Sequence, residues 1–174
     1  VILLGMRTVD IRNLEEARVL HPNYDAVVSV IENRRHVDKL GHPRHIVEVM
    51  GDYDRSMATW GKHNNQIDEF PRKEQFEQIL GFVNSLPKNA KILVHCAAGI
   101  SRSTATGLGI LANEGMEEEE AVRLLANKHP RNRAFWPNDM ILGHFDAILC
   151  TELEAAAFPK RHTGNVWELT SNPL

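Results

Sequence analysis

The sequence contains little cysteine and no long apolar run, and both absences limit what the protein can be. Two cysteines among 174 residues exclude a disulfide scaffold and favour a reducing compartment. No apolar run approaches the roughly 20 residues that span a bilayer. The net charge of −3 gives no reason to expect nucleic acid as a general partner. We therefore expect a cytoplasmic monomer that uses neither a membrane nor a nucleic acid as its partner.

The balance of residue types indicates one folded domain. Hydrophobic residues make up 43% of the chain and charged residues 25%, which is typical of a globular protein with a proper core. The sequence carries no internal repeat and no low-complexity segment. Because the last residues lack clear periodicity, we predict a single domain over residues 1–158 and a C-terminal tail over residues 159–174.

Strand-like and helix-like patterns alternate along the chain. Four short runs predict strands: Thr8–Ile11, Ala26–Ile31, His45–Met50 and Ile92–Val94. Helical spacing and capping signals predict helices that begin at Asn13, Pro71, Arg102, Glu117 and either Asn138 or Pro137, the last of them continuing to about Ala157. This alternation predicts an α/β fold with a central, mostly parallel sheet flanked by helices. Cys150 lies on the last predicted helix, where we expect it to be buried.

One stretch, Lys91–Thr104, combines a buried strand, a tight loop and the start of a helix. The strand ends at His95-Cys96, five small or apolar residues follow, and Arg102 then opens the helix. This order gathers backbone N–H groups and the positive end of the helix dipole around one point, which is an anion-binding cradle. The predicted binding residues are Ala97, Ala98, Gly99, Ile100, Ser101 and Arg102.

Cys96 and Arg102 give this cradle its chemistry. Backbone donors, a helix dipole and a nearby guanidinium all favour the thiolate form of a cysteine. The planar fork of Arg102 matches two oxygens of a phosphate group. A thiolate beneath a bound phosphate is a nucleophile directed at phosphorus. The residues therefore predict phosphoryl transfer to Cys96.

His95-Cys96, five residues and Arg102-Ser103 together resemble the signature of the cysteine-dependent protein tyrosine phosphatases. The run Ala-Gly-Ile-Ser-Arg-Ser is similar to that of the compact dual-specificity branch and its bacterial tyrosine-phosphatase-like relatives. The resemblance covers about residues 26–149 and implies a protein tyrosine phosphatase-like fold. It also implies hydrolysis of phosphate monoesters on protein tyrosine, with serine and threonine as further substrates. The implied route is a cysteinyl-phosphate intermediate, with no metal and no cofactor.

The same resemblance implies roles for three supporting residues. Ser103 stabilises the departing thiolate with its hydroxyl group, and His95 supports Cys96 through a hydrogen bond. Pro137-Asn138-Asp139 is similar to a helix start in dual-specificity phosphatases, where the Asn side chain braces the phosphate loop. A plain helix cap is the alternative role for Asn138.

The reaction also needs an acid, because an alkoxide or phenolate leaves poorly without a proton. The resembled family places an Asp on the loop between a strand and the helix that precedes the cysteine strand. Three aspartates occupy that segment here. Asp52 follows the strand directly, Asp68 lies nearer the helix, and Asp54 lies between them. We predict Asp52, with Asp68 and Asp54 as the alternatives.

Several other functions and sites fit parts of the sequence. A phosphoprotein-binding module without turnover would use the same cradle, as would an RNA or phosphoinositide phosphatase, although the loop carries no lysine for a multiply charged headgroup. Trp60 or Trp136 would wall the cleft if either is not simply packed in the fold.

Two groups of residues need a further explanation. The basic residues, which form either a solvated face or the border of the phosphate entrance, are Arg34, Arg35, Lys39 and Arg44. The histidines without a zinc-like pattern, for which we expect no metal, are His36, His42, His45 and His63.

Overall fold

A computed structural model describes residues 5–36, 40–55 and 70–159 of the chain. Within these ranges, four strands form one parallel sheet: β1 (Thr8–Arg12), β2 (Ala26–Ile31), β3 (His45–Val49) and β4 (Lys91–His95). The strand order is β1-β4-β2-β3, so β4 lies inside the sheet although it comes last in the sequence. The predicted central parallel sheet is confirmed.

Helices cover both faces of the sheet. Those in the described ranges are α1 (Leu14–Leu20), α2 (Lys73–Asn84), α3 (Arg102–Asn113), α4 (Glu118–Lys128), α5 (Asp139–Leu149) and α6 (Leu153–Ala157), with 3-10 turns at His21–Asn23 and Arg34–His36. Helix α1 packs on one face through Ala17, and helices α2 to α6 share the larger core on the other face. Not one of these helices combines the length and the apolar character that a membrane span requires.

The inner strands are buried on both faces because helices lie above and below them. Val28 and Val94 point into the larger core, while Val27 and Leu93 point into the smaller core beneath α1. All four side chains are fully buried. Two-sided burial is why these runs read as continuously apolar rather than alternating. It also fixes the register that aligns the strand ends.

The carboxyl ends of the four strands meet at one edge of the sheet because all the strands are parallel. Arg12 pairs with His95 across β1 and β4, and Ser29 pairs with His95 across β2 and β4. In open parallel sheets, ligand sites form in the crevice outside this edge. The loops that follow β2, β3 and β4 are therefore brought together there.

The C-terminal helical region differs from the prediction. The predicted helix to Ala157 is wrong, because it is broken into α5 and α6 at Cys150, which has φ 57° and lies in the left-handed region. The Asp146 carboxylate accepts hydrogen bonds from the backbone N–H groups of Leu153 (2.7 Å) and Glu154 (3.0 Å), which satisfies the start of α6. The break turns Cys150 outward, so the prediction that it is buried is also wrong.

The start of α2 is a smaller correction. The helix begins at Lys73 rather than at Pro71, with Arg72 as its extended N-cap residue at φ −123°. The Gln75 side chain accepts a hydrogen bond from the Arg72 backbone N–H at 3.0 Å, which fixes the first turn. The boundary of the domain after residue 158 stays a prediction, since residues 160–174 lie outside the described ranges.

Candidate active site

The loop between β4 and α3, residues 96–101 and here called the β4–α3 loop, carries a buried cysteine at its base. Cys96 is 1% exposed. Its Sγ atom accepts a hydrogen bond from the Gly99 backbone N–H at 3.2 Å and lies 3.2 Å from the Ser103 hydroxyl. Gly99 is the donor in its contact, whereas either the Ser103 hydroxyl or the thiol can donate in the other. The loop and the start of α3 therefore place a backbone N–H group and a hydroxyl group directly beside the sulfur.

Arg102, the first residue of α3, holds its guanidinium beside the same loop. The side chain is buried, and Nη1 donates to the Met50 carbonyl at 3.0 Å and pairs with Glu32 Oε2 at 2.7 Å. Its Nε–H group is also buried and has no hydrogen-bond partner among the described residues. An unsatisfied buried donor of this kind is costly unless a ligand pairs with it.

Backbone contacts from the β1–α1 junction fix the shape of the β4–α3 loop. Gly99 has φ 72°, and a Cβ atom placed there would lie 2.9 Å from backbone atoms of Arg12 and Asn13. The Leu14 N–H donates to the Ala97 carbonyl at 3.1 Å. Asn13 caps α1 as predicted, its Oδ1 accepting from the Glu16 N–H at 2.8 Å. A rigid helix start therefore supports the loop from behind.

Asp52 is a predicted acid that contacts the β4–α3 loop directly. It follows β3, and its Oδ1 accepts hydrogen bonds from the Ser101 hydroxyl at 2.6 Å and from Asn138 Nδ2 at 3.1 Å. Its Oδ2 lies 3.9 Å from Arg102 Nε. Asp54 lies two residues farther, in the lining of a neighbouring cavity. Asp68 lies outside the described residues.

Asn138 caps its helix with its side chain, as the alternative role predicts, and it contacts the β4–α3 loop through its backbone rather than its side chain. Its Oδ1 caps α5 by accepting from the Ile141 N–H at 3.0 Å. Its Nδ2 donates to Asp52 Oδ1 and, at 3.0 Å, to the Tyr53 carbonyl. Its backbone N–H donates to the Ser101 carbonyl at 3.2 Å. One residue thus links the helix start, Asp52 and the β4–α3 loop.

The cavity beside Asp52 is acidic and partly aromatic. It has a volume of about 250 Å³, and its lining comprises Asp52, Asp54, Ser101, Trp136, Pro137, Asn138, Asp139 and Phe158. Trp136 packs edge-on against Phe158 with a centroid distance of 5.5 Å. Trp136 therefore both packs in the fold and walls this cavity, while Trp60 lies outside the described residues.

Comparison with known proteins identifies the architecture. No protein-family model matches the chain. The human tyrosine phosphatase-like serine/threonine/tyrosine-interacting protein matches with a TM-score of 0.58 and 20% identity, over 86% of this chain and 94% of that one. Tk-PTP in its active form matches with a TM-score of 0.54 and 19% identity, over 83% and 91% of the two chains. This chain has the tyrosine phosphatase fold. The predicted fold class is thereby confirmed.

Two curated proteins of Dictyostelium discoideum are similar to the chain in sequence. "MAP kinase phosphatase with leucine-rich repeats protein 3" is 29% identical, over 63% of this chain. A "Probable rhodanese domain-containing dual specificity protein phosphatase" is 35% identical, over 40% of this chain. The matched regions span only 14% and 16% of those two proteins. The resemblance to the cysteine-dependent phosphatases, dual-specificity branch, is confirmed by these relatives together with the fold.

Glu32, which pairs with Arg102, is a residue of this site that was not predicted from the sequence. Burial raises the pKa of the Glu32 carboxyl, but hydrogen bonds from a backbone N–H and from Arg102 outweigh it and leave the pKa lowered. The carboxylate therefore stays charged beside the guanidinium. Its sequence signal was its position, since it follows β2 directly and so falls at the same sheet edge as Cys96.

Ser29 and His45 were missed as well, and both are linked to His95, the residue before Cys96. The Ser29 hydroxyl is 2.6 Å from His95 Nε2 and 2.7 Å from His45 Nε2. The other ring nitrogen of His95, Nδ1, lies 3.4 Å from the Cys96 carbonyl. Ser29 could have been found from the sequence, because it is the one polar residue in the apolar strand Ala26–Ile31.

The remaining predicted sites are more peripheral. Arg34, Arg35 and Arg44 are exposed, and Arg34 donates to the Val47 carbonyl of the edge strand at 3.1 Å, which fits the solvated-face alternative. Lys39 and His63 lie outside the described residues. Within the described ranges, no three His, Cys, Asp or Glu side chains are grouped to hold a metal ion.

Proposed function

We propose that this protein hydrolyses phosphate monoesters on proteins, with phosphotyrosine as the principal substrate and phosphoserine and phosphothreonine as further ones. The observation that carries the proposal is the buried Cys96 sulfur, which receives the Gly99 N–H and Ser103 hydroxyl contacts in a loop closed by Arg102. The fold and the sequence relatives support the same reaction class. The chain covers only a small part of those curated relatives, so their own substrates are not assigned to it.

In the first step, Cys96 Sγ attacks phosphorus and the bond from phosphorus to the leaving oxygen breaks. Arg102 and the backbone N–H groups of the β4–α3 loop hold the phosphoryl oxygens, which supplies the charge stabilisation that such a transition state needs. Asp52 donates its proton to the leaving oxygen. Because Asp52 Oδ1 already accepts two hydrogen bonds, Oδ2 is the oxygen from which the proton is transferred.

In the second step, water attacks the cysteinyl phosphate and Asp52 takes a proton from it. The bond between phosphorus and sulfur breaks, inorganic phosphate is released, and sulfur leaves as a thiolate. The Ser103 hydroxyl, 3.2 Å from Sγ, donates to that thiolate. His95 and Asn138 position the nucleophile and the acid without touching phosphorus. This cycle uses no metal and no cofactor.

The charges around the site favour a protein substrate over a polyanion. Asp52, Asp54 and Asp139 line the cavity beside the β4–α3 loop, and Glu32 lies on the other side of Arg102. Carboxylates around a single phosphate position repel further phosphates, which disfavours inositol polyphosphates and triphosphate RNA. A thiolate nucleophile also requires reducing conditions, so we propose a cytoplasmic monomer acting on phosphorylated proteins.

Two substitutions test the reaction. Cys96→Ser should abolish hydrolysis of a phosphotyrosine peptide, and unchanged hydrolysis would refute the proposal. Asp52→Asn should lose about 100-fold to 10,000-fold in kcat/KM with phenyl phosphate, a poor leaving group, and far less with an activated coumarin phosphate. Asp54→Asn is the matched control and should keep the wild-type dependence on the leaving group. If the wild type binds phosphopeptide but releases no phosphate in a single turnover, the protein is a binding module.

A further inference from the structure

A chain of three buried or half-buried side chains connects the outer part of the sheet to the nucleophile. His45 opens β3, Ser29 lies in the middle of β2, and His95 ends β4. Ser29 and His95 are both 0% exposed. The contacts run from His45 Nε2 to Ser29 Oγ, from Ser29 Oγ to His95 Nε2, and from His95 Nδ1 to the Cys96 carbonyl.

Only one arrangement of protons satisfies all three contacts. The Cys96 carbonyl can only accept, so the proton of a neutral His95 must be on Nδ1. Its Nε2 then has a lone pair and accepts the Ser29 hydroxyl proton. With that proton donated, the Ser29 oxygen accepts from His45, which must carry its proton on Nε2. The three hydrogen bonds therefore all have the same direction, with each donor on the His45 side and each acceptor on the Cys96 side.

The protonation states of the two histidines support this order. Burial lowers the pKa of His95 to about 4, and burial together with the neighbouring His95 lowers the pKa of His45 to about 4. Both rings are therefore neutral at pH 7, where each has one donor nitrogen and one acceptor nitrogen. A neutral histidine takes the tautomer that its hydrogen-bond partners select.

The direction of the Cys96 carbonyl matters because of the peptide that contains it. Every described peptide bond is trans, so the N–H of Ala97 points away from the Cys96 carbonyl. When the Cys96 carbonyl points towards His95, the Ala97 N–H therefore points the opposite way, into the β4–α3 loop. The Leu14 N–H acts in the same way on the next peptide by holding the Ala97 carbonyl.

We propose that Ser29 and His45 are positioning residues, which hold His95 in its Nδ1–H tautomer and thereby orient the first peptide of the β4–α3 loop. The effect on phosphate binding rests on the proposed function, but the effect on the tautomer does not. Loss of one link should shift the His95 proton towards Nε2 and free the Cys96 carbonyl. The thiolate would then lose part of the backbone arrangement that stabilises it.

Nitrogen NMR of the histidine rings tests the tautomer without any turnover. In the full chain labelled with ¹⁵N-histidine, His95 should show a protonated Nδ1 and an unprotonated Nε2 at pH 7. A protonated Nε2 in the wild type would overturn the proposal while leaving the phosphatase proposal intact. His45→Leu, at a half-exposed position, should move His95 towards the other tautomer, whereas His45→Gln keeps an N–H donor and should retain the wild-type spectrum.

Alkylation of Cys96 by iodoacetamide gives the functional readout. His45→Leu and Ser29→Ala should raise the midpoint of the pH dependence of the alkylation rate and lower kcat/KM by about threefold to tenfold, the effect of one lost hydrogen bond. His45→Gln should restore both values. His42→Leu is the control, because His42 Nε2 donates to the Tyr24 carbonyl, its Nδ1 accepts from the Arg44 N–H, and no hydrogen bond among the described residues joins it to Ser29. Equal behaviour of the Leu and Gln variants at position 45 would refute the proposal.

Discussion

The support of the β4–α3 loop by the β1–α1 junction leads to a quantitative prediction for Gly99→Ala. Gly99 has φ 72°, in the left-handed region, and its added Cβ would lie 2.9 Å from the carbonyl carbon and oxygen of Arg12 and from the Asn13 nitrogen. All three are backbone atoms of a capped helix start, so no flexible side chain can move aside. The substitution must therefore displace either the loop or the junction.

Two terms contribute to the expected loss of stability. Placing an alanine in the left-handed region costs about 1–2 kcal/mol. Forcing a methyl group into a closely packed position adds about 1–3 kcal/mol. We therefore expect Gly99→Ala to lower the free energy of unfolding by about 2–5 kcal/mol. Because the Gly99 N–H donates to Cys96 Sγ, the displacement should also reduce reactivity of the sulfur.

Gly115→Ala is a matched control for the backbone term. Gly115 has φ 85°, and no described atom lies within 4 Å of a Cβ placed there. It should lose only the cost of the left-handed conformation, about 1–2 kcal/mol, and keep full activity. Urea denaturation followed by tryptophan fluorescence measures both variants, and aryl phosphate hydrolysis measures the activity. If Gly99→Ala loses no more unfolding free energy than Gly115→Ala and hydrolyses the aryl phosphate at the wild-type rate, the close packing of the loop on the β1–α1 junction is refuted.

Three further predictions concern charge. The pKa of His95 is lowered by burial from 6.5 to about 4, so its contribution to stability is complete above pH 6.5 and is lost as the pH falls towards 4. We expect urea denaturation to show that His95→Gln reduces the difference in unfolding free energy between pH 7 and pH 4.5 by about 2–3 kcal/mol. An unchanged difference would contradict the assignment of His95 as buried and neutral. Arg55 pairs with Glu154 at 2.6 Å and anchors the segment that bears the acid, so Arg55→Met should lower kcat/KM for phenyl phosphate up to about fivefold, with no loss for an activated ester. Arg7 and Glu114 form a pair in which both side chains are 2% exposed, so Arg7→Met should cost about 3–5 kcal/mol in thermal or urea unfolding, and adding Glu114→Leu should recover much of it.

The strands could be predicted from the sequence because burial on both faces leaves a direct compositional trace. Val27 and Val28 face opposite cores, so their strand is apolar without interruption apart from Ser29. Cys96 and Arg102 could also be predicted from the sequence, because they are close together in it and the loop between them determines their spacing. A pair of site residues that belongs to one short stretch of sequence can be identified from that stretch alone.

The residues that the prediction missed come from other strands. Glu32 meets Arg102, and Ser29 links His45 to His95, only through the parallel register of β2 with its neighbours. The spacing of apolar residues does not reveal which strands are adjacent. The choice among the acids was limited in the same way, because the contacts of Asp52 are with Ser101 and Asn138, which lie far away in sequence. The break at Cys150 was missed because the Asp146 carboxylate that caps α6 looks like an ordinary helical side chain in the sequence.

The position of β4 has a consequence for how the protein is made. A ribosome releases β1, β2 and β3 first, and β2 and β3 can pair at once, but β1 has no partner until residues 91–95 emerge. Until then, the nascent chain presents open strand edges, which are sites of aggregation. The segment that closes this gap is the one that leads directly into the cysteine. Assembly of the nucleophile and completion of the sheet are therefore the same event, and a partly folded chain has no formed site with which to react.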